Sequence, residues 1–121
     1  MKDEGFLFEK LEVYRRSLAL AMRFLQLASK FPPQLSRIRD QLIGAALSTP
    51  LNIAEGSGRV SHKDKKNFYK NSRGSLFELI PILEAVRHLH IITETERDDF
   101  RSEIAHLARM LSGLMRSEKV A

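Results

Sequence analysis

The chain has 121 residues, 43% apolar and 29% charged, a balance that suits one globular domain with a real core and excludes a disordered segment. It contains no cysteine, which excludes disulfides, thiolate nucleophiles and cysteine-held zinc or iron–sulfur centres. Twenty Lys and Arg against fifteen Asp and Glu leave a net charge of +5, which favours polyanionic partners, nucleic acid above all.

The opening Met1-Lys2-Asp3-Glu4-Gly5 is charged and does not read as a secretory signal. No apolar run has the length of a membrane span, so a cytoplasmic protein that engages no membrane is the expectation.

The first helix is expected over about 10–31. Leu11, Tyr14, Leu18, Ala21, Leu25 and Ala28 share one face at three- and four-residue spacing. Val13, Leu20, Phe24, Leu27 and Phe31 form a second apolar stripe beside it. Two readings stand for so wide an apolar surface: contact with another subunit, or deep packing within one chain. Pro32-Pro33 ends this helix.

A second helix, about 35–55, is apolar around most of its circumference. Its polar residues, from Arg37 through Gln41, Gly44, Ser48, Asn52 and Glu55 to Arg59, fall on one line. Pro50 is expected to kink it, and Gly56 to supply a left-handed cap. A third helix, about 61–90, starts with Ser61 as N-cap and Asp64 three residues on. Phe68, Ser72, Leu76, Leu79, Leu83 and Val86 mark its inner face, and Pro81 a local kink. Thr93 and Glu96 form a capping-box sequence for a fourth helix, about 94–116. Phe100, Ile104, Leu107, Leu111 and Leu114 repeat as a bundle seam, and Ser117 to Ala121 are expected to fray. The sum is a single all-α domain over 1–121, an antiparallel up-down-up-down four-helix bundle.

Arg59, Lys63, Lys65, Lys66, Lys70 and Arg73 make the strongest charge feature, opposed within it by Asp64 alone. Phosphates would dock on such a run near a helix start; a solvated basic surface is the other reading. Arg15, Arg16 and Arg23 form a second basic patch. Ser48, Asn52, Glu55 and Arg73 suit a buried polar clasp between two helices better than a catalytic site. No catalytic residue is expected, because no nucleophile and base sit at a working spacing. Neither a metal nor a cofactor is expected. His88 and His90 are too close to share a helix face, and Glu103-Ile104-Ala105-His106 occurs once where a di-iron bundle needs two such motifs.

Three stretches carry a family resemblance. Phe8-Glu9-Lys10-Leu11-Glu12-Val13-Tyr14 is similar to an opening of the form Phe-x-x-Leu-x-Val-Trp/Tyr. Ser48-Thr49-Pro50-Leu51-Asn52-Ile53-Ala54-Glu55-Gly56-Ser57-Gly58-Arg59 resembles the central signature Ser-x-Pro-x-Asn-Ile-Ala-Glu-Gly-x-Gly-Arg. The stretch from Phe68 to Glu78 is similar to a third-helix motif. Together they resemble the four-helix bundle proteins encoded in intervening sequences of 23S ribosomal RNA genes. The resemblance implies a ring of five subunits. It also implies kinship with the accessory variability determinant of diversity-generating retroelements, a basic pentamer that binds nucleic acid and a reverse transcriptase. Two arginines that often precede the paired alanines of the second helix are Ile43 and Gly44 here, which removes charge from the polar line. Two functions follow as expectations. One is a self-assembling module that binds RNA or DNA. The other is a scaffold that recruits a polymerase or another nucleic-acid-bound protein without strong nucleic-acid affinity of its own.

Overall fold

The computed structural model describes residues 5–118. A short 3-10 turn, Leu7–Lys10, leads into α1, Glu12–Ala28. A second 3-10 turn, Pro33–Leu35, leads into α2, Ser36–Ser57. Helices α3, His62–His88, and α4, Glu94–Ser117, complete an all-helical four-helix fold, with no strand among the described residues.

Local chemistry sets the ends. Pro33 opens the second 3-10 turn behind an extended Pro32, where the absent proline N–H costs nothing. The Ser61 hydroxyl accepts from the Asp64 N–H at 3.3 Å and starts α3. Thr93 and Glu96 close a full capping box: Thr93 Oγ1 accepts from the Glu96 N–H at 3.1 Å, and Glu96 Oε1 accepts from the Thr93 N–H at 3.0 Å. Hydrogen bonds from the Thr93 backbone and side chain hold the Glu96 carboxyl below its ordinary value. At the end of α3 the His90 N–H donates to Arg87 O and the Ile91 N–H to Val86 O, both at 2.9 Å. That is a Schellman ending, with His90 at φ 61° in the position glycine favours.

The core is a continuous apolar cluster from all four helices. Phe24, Leu42, Ile53, Leu76, Leu83, Leu107 and Leu111 are sealed from solvent within it. Helices adjacent in sequence pack extensively, while α1 and α4 touch more sparsely. Their seam is held by Phe24 stacked on Phe100, with ring centroids 4.5 Å apart, and by Arg16 on Glu103 at 2.7 Å.

Several expectations need correction. Helix α1 starts at Glu12 because Leu11 is extended after the 3-10 turn, and it ends at Ala28 rather than near residue 31. Gly56 is no left-handed cap: α2 runs through it to Ser57, and among described glycines only Gly5 has a positive φ. A Cβ at Gly56 would lie 2.8 Å from Phe68 Cβ, so glycine here permits close approach of α2 to α3. Tyr69, not Phe68, is the buried aromatic of α3. Ser117 belongs to α4, and Glu118 pairs with His62; Lys119–Ala121 and Met1–Glu4 lie outside the described residues.

One correction bears on assembly. Val13, Leu20, Phe24, Leu27 and Phe31 are all buried by their own chain. The wide apolar surface of α1 is therefore no argument for a partner subunit. What α1 leaves in solvent is Leu18, 37% exposed, and Met22, 43% exposed. Among the described residues, no helix is long and apolar enough to cross a membrane.

Candidate nucleic-acid interface

Lys66, Lys70, Arg73 and Phe77 follow one another at four-, three- and four-residue steps, so they form one row along α3. Helix α4 packs beside that row and supplies Arg109, Ser112 and Arg116. The upper part of the resulting groove is lined by Lys66, Asn67, Lys70, Arg73, Ser112, Met115 and Arg116. The lower part is lined by Arg73, Phe77, Ala108, Arg109, Ser112 and Arg116. No carboxylate lines either part. None of the five cations makes an ion pair with a carboxylate of the described residues. Arg73 is half-buried and donates from Nη1 to Ser112 Oγ at 2.9 Å, which fixes its charge across the α3–α4 junction.

The remaining cations of the expected run behave differently. Arg59 is committed to Glu55, one turn away at 2.7 Å, and its guanidinium lies 4.7 Å above the Phe68 ring. Lys63 is exposed and precedes the row by one turn. Lys65 is half-buried. His62 caps the neighbourhood by pairing with Glu118.

The second basic patch does not hold together as a binding surface. Arg15 donates to the backbone oxygens of Glu9 and Lys10 and so caps the first 3-10 turn. Arg16 is bonded to Glu103 and Glu12, and the Glu103 hydrogen bond raises its already high pKa. Arg23 stacks over Phe100 at 4.5 Å. The cleft that Arg16 and Arg23 border with Arg109 also contains Asp99, Glu103 and His106, a mixed lining with less pull on a polyanion.

The polar clasp forms only in part. Asn52 donates to Ser48 Oγ at 2.9 Å and to Ser48 O at 2.8 Å. Ser75, absent from the expected set, completes it by donating to Ser48 Oγ at 2.8 Å. Glu55 is exposed and turned to Arg59, and Arg73 is turned to α4. Arg73 and Ser75 are two residues apart on one helix, so they cannot face the same neighbour. A second tie between α2 and α3 is wholly buried: Ser72 Oγ donates to the Thr49 carbonyl at 2.8 Å, while Thr49 Oγ1 donates back to Ala45 O at 3.2 Å.

Opposite charge collects at the other end of the α3–α4 pair. Glu84 is gripped by Arg97 at 2.8 Å and Arg101 at 3.0 Å, close to Glu94 and Asp98. The first half of α4 carries Glu94, Glu96, Asp98, Asp99 and Glu103, and the second half carries no acid from Ile104 to Ser117. The pair is thus polarised along its length.

The sequence profile of the 23S rRNA-intervening sequence protein family matches residues 9–113. The chain belongs to this family. A crystal structure of a protein of unknown function from the S23 ribosomal protein family of Bacteroides thetaiotaomicron VPI-5482 superposes with a TM-score of 0.77 at 19% identity. The likeness covers 87% of this chain and 99% of that one, and it establishes the shared fold. No curated protein matches the sequence. In this chain the two α2 positions Ile43 and Gly44, which lack arginine, differ in environment. Ile43 is half-buried, while Gly44 is exposed, with nothing within 4 Å of where a Cβ would stand. Positive charge is therefore missing from these two positions of α2, one of them on its open face.

Proposed function

We propose that this family member is a non-enzymatic, nucleic-acid-binding bundle and that the α3–α4 groove is its binding surface. The observation that carries the reading is the groove itself: five cations, no carboxylate in the lining and no ion pair to neutralise them. Elsewhere in the fold Arg16, Arg59 and Arg97 are each neutralised by a carboxylate. An unpaired row attracts phosphates and releases their counterions. Separation of Asn52, Glu55 and Arg73 into three surroundings supports the non-enzymatic part of the reading.

The bundle is read as antiparallel, up-down-up-down. Contacts that run in opposite residue order support this. Thr49 meets Ser72 and Ser48 meets Ser75 across α2 and α3; Arg73 meets Ser112 and Glu84 meets Arg101 across α3 and α4. A homo-oligomer, a pentamer on the family resemblance, would repeat the groove and add avidity. Leu18, Met22 and Leu51 are the exposed apolar side chains of α1 and α2 open to such contacts. Kinship with retroelement accessory determinants belongs to the same reading.

A fluorescent single-stranded RNA titrated at several salt concentrations tests the proposal. Five phosphate contacts give a log–log salt slope of about −3.5. No detectable affinity at low salt, with tight capture of a polymerase instead, would replace this reading with the recruiting scaffold.

A further inference from the structure

Phe77 stands in the same row as Lys66, Lys70 and Arg73, yet it is a large aromatic side chain left 53% exposed. No described aromatic ring stacks on it, and no described guanidinium covers it. The two other α3 aromatics have structural duties: Phe68 lies under Arg59, and Tyr69 is buried in the core. Phe77 has neither arrangement, and leaving half of it in water works against folding. Arg73, Arg109 and Arg116 line the groove with it. From Lys66 to Phe77 the row spans about 16 Å of helix.

We propose that the groove selects single-stranded nucleic acid, with Phe77 as a stacking platform for one base. The inference rests on the groove being a nucleic-acid site and names the class of strand it takes. Cations along α3 and α4 track a phosphate backbone, and an exposed ring at the end of the track meets the face of an unpaired base. A duplex satisfies the cations equally well but keeps its base faces stacked inside, so the ring gains nothing from it. Stacking on a π-face is tolerant of base identity, so selection is for strandedness rather than sequence.

The test compares wild type, Phe77→Leu and Phe77→Trp against a single-stranded RNA, a single-stranded DNA of the same sequence, and the corresponding duplex. Wild type should prefer both single strands to the duplex. F77L should lose about ten-fold in single-strand affinity while its duplex affinity and salt slope stay unchanged; F77W should retain the preference. A 2-aminopurine in the single strand should be quenched by wild type and F77W but not by F77L. Circular dichroism and sedimentation should not distinguish the three proteins. Equal loss of duplex and single-strand binding in F77L, a wild-type preference for duplex, or a change of assembly state in F77L would each overturn the role of Phe77 while leaving the groove cations intact as a site. Failure of every nucleic acid to bind wild type would instead remove the groove reading itself.

Discussion

The Arg73 guanidinium donates to the Ser112 hydroxyl across the α3–α4 junction at 2.9 Å. That one bond takes Arg73 away from Glu55 and Asn52 on α2 and places it centrally in the cationic groove. It lies between Lys66 and Lys70 on one side and Phe77 and Arg109 on the other. A neutral hydroxyl orients the side chain without cancelling its charge, as a carboxylate would.

Gly56→Ala should destabilise the fold. A Cβ there would sit 2.8 Å from Phe68 Cβ and 3.2 Å from a Tyr69 ring carbon, so α2 and α3 must part. Overpacking of this kind costs about 1–3 kcal/mol, measured as a lowered urea midpoint. Gly44→Ala makes the contrasting control. Nothing lies within 4 Å of its Cβ, so the same substitution should stabilise α2 by about 0.5–1 kcal/mol.

His90→Gly should stabilise the protein. His90 holds φ 61° at the end of α3, a conformation that costs an L-residue about 1 kcal/mol and costs glycine little. Thermal unfolding should show a raised midpoint. Nucleic-acid affinity should not change, because the α3–α4 turn lies at the far end of the helix pair from Lys66 and Arg116.

The capping box should leave a pH signature. The Glu96 carboxyl is held below its ordinary value of 4.5 by hydrogen bonds from Thr93. A carboxyl depressed in the fold binds fewer protons there than in the unfolded chain. Its stabilisation is therefore complete above about pH 4.5 and is lost as pH falls through the lower folded value. Glu96→Gln should be less stable than wild type at neutral pH. The gap between the two denaturation midpoints should close on acidification below that point.

Much of the fold was legible because its signals are local. Ser61, Thr93 with Glu96, and Pro32-Pro33 mark helix ends through contacts within three residues. Gly56 misled for the opposite reason: its constraint comes from Phe68 on another helix, and no local pattern records it. The groove was half legible. Lys66, Lys70 and Arg73 share a face by spacing alone, but Arg109 and Arg116 join them only through the packing of α4 on α3. An acid-free stretch from Ile104 to Ser117, with two arginines seven apart, was the available clue. Counting arginines on α1 failed because Glu103 and Phe100, distant in sequence, claim Arg16 and Arg23.

Two variants of equal net charge test the central claim most directly. One carries Lys66→Gln, Lys70→Gln, Arg109→Gln and Arg116→Gln in the groove. The other carries four neutralised cations away from it: Lys10→Gln, Lys30→Gln, Arg37→Gln and Arg39→Gln. Binding of a single-stranded RNA is measured against salt. The groove variant should lose most of its affinity and flatten the log–log slope from about −3.5 to about −0.7, while the control keeps a slope near that of wild type. Equal losses in the two variants would show that net charge alone, not this groove, governs binding, and would contradict the account.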